Sequence, residues 1–537
     1  MPVDVLIFTG VSFLEFARPA GAYRVATELR NNGYTVQVVD TFPFLADTGF
    51  ASVQRLIARF VGPSTLWVGF SSTFFLRRDA LRVVKNDSKS DLDSKGVLLG
   101  KEQSSLLRKQ IKDLSPTARI VVGGAKAFQR GFTEFADAYI EGYADTSAIK
   151  FTDYLRGRNP FFQYELGSDG AMIVGNDAKA SGFDFVHSKI EWHPSDHVAP
   201  NEALSIEVSR GCIFNCSFCS YPLNGKKKID YLKDPAVLRE ELVENYEKYG
   251  TTNYIYSDDT HNDSVEKLES LWNHVYSRLP FKIGFVTYLR LDLLAAKPTM
   301  VELLRESGLI GCFFGIESLH YESARSIGKG LRPERALEML HHVRQVWGKE
   351  VTTSGGFIVG LPHESELTAR AWLDQVIDPG FPLDTSHIYP LILSAPAHTA
   401  TKSWKSDFES NPHQAGYSFG RQGWVNNTGL TSVRSKEIVT EYFRKDWMAK
   451  GKKIGAFGVP GFLNLGFSRQ EIRAARLNNQ AFVIETVRRR EALNKIYLER
   501  VLAYDGGHGR IAGQAAPNAL ALRDPEGACQ ALEQAAL

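Results

Sequence analysis

Leu204-Ser205-Ile206-Glu207-Val208-Ser209-Arg210-Gly211-Cys212-Ile213-Phe214-Asn215-Cys216-Ser217-Phe218-Cys219-Ser220-Tyr221 runs a strand-like segment into three cysteines spaced C-x3-C-x2-C. They are three of five cysteines in 537 residues. Three thiolates this close can wrap one soft metal centre, but a [4Fe–4S] cube takes four ligands, which would leave one iron for a ligand that is not protein. A structural zinc site is the alternative; it needs a fourth ligand from a remote His or Cys and normally shows paired dyads. The odd ligand count weighs toward the cluster.

Downstream, the same strand-then-loop pattern recurs. Tyr254–Tyr256 leads to Ser257-Asp258-Asp259, Lys282–Thr287 to Tyr288-Leu289-Arg290, and Ile310–Phe314 to Gly315-Ile316-Glu317-Ser318. Ser354–Val359 leads to Gly360-Leu361-Pro362, and Ser386–Leu391 to Ile392-Leu393-Ser394. Helical segments such as Asp234–Tyr249 and Arg332–Val346 fill the gaps. Six such units predict a partial (β/α)6 TIM-like barrel over 201–395, with its chemistry at the C-terminal ends of the strands.

Upstream, residues 1–155 alternate short apolar strands with helices: Val5–Thr9, Thr35–Val39, Leu66–Phe70, Arg119–Val122 and Ala138–Ile140. This predicts an N-terminal doubly wound parallel sheet, Rossmann-like, in an α/β chain. The polar stretch Lys85–Lys95 reads as an insertion, and 156–200 as a linker without periodicity. Residues 396–510 read as a helical, basic domain, with 16 Lys or Arg against 8 Asp or Glu over 431–510. Within it Leu493, Tyr497 and Val501 share one helix face. The Ala-rich tail 511–537 has little to pack and is expected to be disordered.

Composition sets the class. With 43% apolar and 23% charged residues and a net charge of +2, nothing pulls the chain toward nucleic acid or a membrane. The N-terminus lacks a basic region and cleavage site and reads as a strand. Clustered cysteines fit a reducing cytosol, so a cytoplasmic location is expected.

The cysteine loop, with aromatic Phe218 just before the third cysteine, closely resembles the radical S-adenosylmethionine (SAM) enzymes. That resemblance covers about 200–395. It implies that Cys212, Cys216 and Cys219 bind a [4Fe–4S] cluster whose open iron holds SAM, and that SAM is cleaved to a 5′-deoxyadenosyl radical. It further places Asp258 or Asp259 at the SAM amino group, Glu317 at the ribose or amino acid portion, and Gly356 and Gly360 against the adenine. Asp258 and Asp259 stand where family members usually have a glycine-containing segment, and either acid could serve as a helix N-cap instead. Cys312 and Cys529 are assigned to packing and to the tail.

The N-terminal layout is similar to the cobalamin (B12)-binding domains that precede some radical SAM barrels. Ligands of a doubly wound sheet bind at its switch point, here the loops 10–21, 71–75 and 123–128. This puts Arg18, Gly21, Ser71, Ser72, Gly123 and Gly124 at cobalamin. The histidine motif that ligates cobalt in many such domains is missing from the first loop, and the first histidine of the chain is His187. Cobalamin, if bound, is therefore expected to lack a protein imidazole on cobalt.

The implied function is a cobalamin-dependent methyltransferase acting on an unactivated carbon, fed by a low-potential donor such as flavodoxin or ferredoxin. Its substrate is expected to be a small molecule or a peptide. The rivals are a cyclisation or rearrangement on the same cofactors and, from another class, a non-catalytic zinc-binding protein. A methylthiotransferase is disfavoured because residues 1–211 contain no cysteine for a second cluster.

Overall fold

The computed structural model describes residues 1–10, 17–42, 45–46, 49–71, 101–124, 127, 134–167, 169–177, 182–219, 223, 225–226, 231–393, 406–420, 423–451 and 453–505. The Lys85–Lys95 stretch and the tail 511–537 lie outside them. Among the described residues, no helix is long and apolar enough to cross a membrane.

The first sheet is built from β1 (Val5–Phe8), β2 (Val36–Val39), β3 (Trp67–Ser71), β4 (Arg119–Gly123) and β5 (Ala138–Gly142), in the order β2-β1-β3-β4-β5. All these pairings are parallel. Because helices cover both faces, β1 and β2 are continuous apolar or buried runs rather than alternating ones. Leu6, Phe8, Val68, Phe70 and Ile120 pack on one face with the helix Phe50–Phe60. Val5, Ile7, Val36, Val38 and Trp67 pack on the other with the helix Ala20–Asn31.

The stretch 156–200 differs from the expected linker. β6 (Glu165–Leu166) and β7 (Met172–Asp177) extend the sheet beyond β5, with β7 parallel to β5 and β6 antiparallel to β7. The physical reason is a short buried run, Ala171–Val174, set off by the left-handed Gly170 and Gly175.

A second, six-stranded parallel sheet follows in strictly sequential order: β8 (Leu204–Ile206), β9 (Asn253–Tyr256), β10 (Gly284–Leu289), β11 (Leu309–Glu317), β12 (Thr352–Val359) and β13 (Thr385–Pro390). Local chemistry sets the crossovers. In the helix Pro235–Tyr249, the Asp234 carboxylate caps the N–H groups of Ala236 and Val237, Pro235 opens the first turn, and left-handed Gly250 ends it. The outer faces of the strands, including Phe285, Phe314 and Phe357, are buried under these helices.

The C-terminal region is not purely helical. β14 (Tyr417–Gly420) and β15 (Gly423–Asn426) form a hairpin against the end of β12. Trp424 donates its indole N–H to the Leu391 carbonyl (3.1 Å), and Asn426 donates to the carbonyls of Leu361 and Glu364. The segment 454–467 then fills the inner side of the half-barrel, where Ile454, Val459 and Phe462 bury Val286 and Ile310. Finally, the helix Gln480–Ala503 spans both domains along its predicted face. Leu493 joins the barrel-filling cluster, whereas Tyr497 and Val501 join the core of the first sheet.

Buried ion pairs lock the two domains together. Arg18 bonds bidentately to Glu202 (2.6 and 3.2 Å), and also donates to the Tyr23 hydroxyl and to the carbonyls of Asp196 and His197. Arg30 grips Asp196, and Arg24 reaches Glu207. Removing one member of a buried pair leaves the other charge uncompensated. Arg18→Met is therefore expected to destabilise the full chain by about 3–5 kcal/mol, read as a lowered urea midpoint. A loss under about 0.5 kcal/mol, the range of an ordinary surface change, would contradict this role.

Candidate functional site

The cysteine loop leaves β8 through a turn that only glycine accommodates. Gly211 has φ +119°, and a Cβ there would lie 2.8 Å from the Leu223 carbonyl oxygen. Cys212 follows, buried, its N–H donating to that same Leu223 carbonyl (3.1 Å). Its thiol lies 3.5 Å from the Thr260 hydroxyl, and burial pushes its pKa up. Cys216 and Cys219 are half-buried, and the Cys219 N–H donates to the Cys216 carbonyl (2.9 Å). Phe218 packs on the cluster that contains Leu361, Phe408 and Trp424. Among the described residues, no three His, Cys, Asp or Glu side chains are drawn together closely enough to hold a metal ion as they stand. What suits the loop to a metal cluster is its donor set: three cysteines, none in a disulfide, on one short turn at the C-terminal end of a barrel strand.

The acids expected around SAM have different positions. Asp258 is fully buried, and one of its oxygens accepts the N–H groups of both Val208 and Ser209 (2.9 Å each). Its other oxygen faces His261 (3.4 Å) and Lys267 (3.9 Å). Burial alone would raise its pKa, yet His261, Lys267 and the Ser209 N–H hold it below the usual carboxylate range. Asp258 thus braces the entry to the cysteine loop. Asp259 is only half-buried, and its charge is felt by both Cys212 and Tyr143.

Glu317 ends β11 in a left-handed conformation (φ 69°), at a shift in the strand register. Lys329 lies 3.7 Å from it and donates to the Gly315 carbonyl (2.9 Å). Burial raises the Glu317 pKa against the pull of Lys329 and Arg290.

The two glycines make room for the chain's own rings. A Cβ on Gly356 would come within 2.7 Å of the Phe313 ring, and one on Gly360 (φ +107°) within 2.3 Å of Trp424. Phe313 belongs to an aromatic floor inside the half-barrel. Tyr288 and Phe457 approach at 4.5 Å between ring centroids, Phe313 and Tyr288 at 5.5 Å, and Phe313 and His387 at 5.4 Å. Tyr288 and Tyr389 on this inner face are 40% and 47% exposed, so the floor is open to a ligand.

At the first sheet, Ser71 and Gly123 are directly paired at the ends of adjacent strands, with left-handed Gly124 next. Gly10 (φ +138°), two residues past the end of β1, lies against Asp40 and Thr41 after β2. These small groups share one edge. Arg18 is committed to the interdomain lock, Gly21 is exposed in the first turn of its helix, and Ser72 lies outside the described residues.

Sequence reasoning passed over two arginines. Arg210, two residues before Cys212, pairs with Asp145 (2.8 Å) and Glu207 (2.8 Å) and stacks among Tyr143, Phe183 and Phe185 at 4.7–5.3 Å. Asp145 and Tyr143 sit on the loop that leaves β5 at the C-terminal ends of the first sheet's strands. Arg290, at the end of β10, touches Cys216. The available signal was position, since both stand at the C-terminal end of a barrel strand.

These placements separate the two adjacent acids experimentally. Asp258→Asn is expected to cost the fold about 1.5–3 kcal/mol, the value of a charged hydrogen bond. Asp259→Asn should cost less, because Asp259 is only half-buried and Asp258 alone carries the two capped backbone N–H groups. Urea denaturation of the full chain compares them, and equal losses would contradict the assignment.

Residues 206–376 match the family model of the radical SAM superfamily. An uncharacterized methyltransferase of Pyrococcus horikoshii is 26% identical over 166 residues, 31% of this chain. The match spans only 35% of that relative's own length. Among solved structures, the radical S-adenosylmethionine methyltransferase TsrM from Kitasatospora setae, with tryptophan substrate and a SAM analog bound, superposes with a TM-score of 0.57 at 14% identity. That alignment covers 92% of this chain and 99% of TsrM. The cobalamin-dependent S-adenosylmethionine radical enzyme OxsB, with aqua-cobalamin bound, gives 0.50 at 13% identity, covering 93% and 72%. At such identities the likeness is one of fold. Residues 206–376 thus carry a radical SAM domain, and the fold of the whole chain is shared with TsrM and OxsB.

Proposed function

We propose that this chain is a cobalamin-dependent radical SAM methyltransferase acting on an unactivated carbon. One juxtaposition supports the reading above the others. The Asp145–Arg210 pair sets the C-terminal ends of the first sheet's strands beside the cysteine loop, so a ligand of each would face the same space. In this reading the thiols of Cys212, Cys216 and Cys219 hold a [4Fe–4S] cluster, since the donor set leaves one iron for a non-protein ligand. Ser71, Gly123 and Gly124 form the small, polar edge that would receive cobalamin. When bound, these groups with SAM supply the electron, the radical and the methyl group; the protein's share is placement and exclusion of water.

The chain's own residues divide that share. Asp258 fixes where the cysteine loop begins, through Val208 and Ser209. Glu317 and Lys329, both largely buried at the end of β11, offer an acceptor and a donor to the zwitterionic amino acid part of SAM. Segment 454–467 closes the half-barrel from its inner side, and Phe457 presents the aromatic floor on which a substrate can rest. A low-potential electron donor is the partner this chemistry requires.

The test is a product mass shifted by one methyl group, together with 5′-deoxyadenosine release by the anaerobically reconstituted chain. Cys216→Ala should lose iron and SAM cleavage. Cys312→Ala should keep both, because Cys312 is packed in the outer core of β11. Full SAM cleavage by Cys216→Ala would overturn the cluster assignment, and an unmethylated cyclised product would overturn methyl transfer.

A further inference from the structure

Arg290 is a buried cation, 5% exposed, whose bonds converge on the cysteine loop. Its Nη1 lies 3.4 Å from the Cys216 Sγ, as a donor to sulfur. Its guanidinium lies 3.8 Å from the centre of the Phe214 ring, and Phe214 sits between the first and second cysteines. Nothing in this arrangement is loose. Nε and Nη2 are held by Asp292 (3.0 and 2.5 Å), and Nη2 also donates to the Gly328 carbonyl (3.0 Å). The backbone is fixed as well: the buried Asn262 accepts from the Arg290 N–H (2.8 Å) and donates to its carbonyl (2.9 Å).

A residue needed only to fill space would not need a planar fork held at five points. Asp292 offsets part of the positive charge, but it binds Nε and Nη2 and leaves Nη1 for sulfur. Lysine, a point charge without a plane, could not stack on Phe214 and reach Cys216 together.

We infer that Arg290 is a positioning residue that sets the reduction potential of a cluster held by Cys216. The inference rests on the cluster reading above. Its physics is direct: hydrogen bonds to ligand sulfurs and nearby charge are among the levers that tune iron–sulfur potentials. A donor and a positive charge beside a thiolate stabilise the more negative, reduced state. The potential therefore rises with Arg290 present and falls without it. For a cluster that must accept an electron from an external donor, this makes loading easier. Stacking on Phe214 serves the same end, because it keeps the Cys212–Cys216 turn from swinging the sulfur out of reach.

The experiment is an electron paramagnetic resonance redox titration of the reconstituted full chain, comparing the parent with Arg290→Gln and Arg290→Lys. Iron content and 5′-deoxyadenosine formation are measured on the same samples. The expected result is full iron in both variants and a more negative midpoint in Arg290→Gln. The reduced-to-oxidised ratio at a fixed potential should drop at least tenfold, which for a one-electron couple is about 59 mV. Arg290→Lys should fall between the two. An unchanged midpoint in Arg290→Gln with iron retained would overturn the inference while leaving the cluster reading intact. So would loss of iron in both variants, which would mark Arg290 as a loop-folding residue. A parent that holds no cluster would instead sink the reading beneath it.

Discussion

The ion pair between Arg210 and Asp145 is the contact on which the rest of the site depends. It buries a cation two residues before Cys212, satisfies it with carboxylates from both domains, and surrounds it with three aromatic rings. Burying such a charge is costly, and it persists only when geometry and hydrogen bonding are good. Here Glu207 is held near 2 by Arg210 and Arg24 against its burial, so it stays ionised and the network stays balanced. The consequence is spatial: the edge of a doubly wound sheet and the mouth of a half-barrel are kept in register.

Around that contact the molecule closes from three directions. Arg18, Arg24 and Arg30 of the first domain bond to residues 189–207 leading into the barrel. The hairpin of β14 and β15 clasps the turn after β12, where Glu364 accepts from the Gly360 N–H and the Trp372 indole, and burial still pushes its carboxyl up to about 7. The helix Gln480–Ala503 then ties both domains from outside, with the Asp40 N–H donating to the Tyr497 hydroxyl (2.9 Å). These long-range pairs hold the first sheet and the half-barrel against each other.

Most of the fold was legible because parallel strands under helices are apolar runs bounded by glycine, proline and caps. The eleven expected strands occur, ten with both ends within two residues and β11 running three residues further, and their alternation with helices accounts for the parallel pairing. β7 escaped because its buried run is only four residues long and is interrupted by Gly175. The site was suggested at the cysteines by spacing, and the three thiols do share one turn. It was not legible at Asp258, because an acid that caps two backbone N–H groups and one that waits for a ligand have the same sequence. Gly356 and Gly360 show the same ambiguity: glycine signals close approach of a ring, but not that the ring is Phe313 or Trp424. Arg210 and Arg290 carried no local signal, since their partners lie 65 and 74 positions away in the chain.

In the proposed function, cobalamin would meet the cysteine loop with no protein imidazole on cobalt. The most direct measurement is the electron paramagnetic resonance spectrum of the Co(II) form after anaerobic reconstitution of the full chain. The account predicts retained cobalamin and a five-coordinate or weakly ligated Co(II) signal without nitrogen superhyperfine splitting. Splitting from an axial nitrogen of the protein, or failure to retain cobalamin at all, would contradict it.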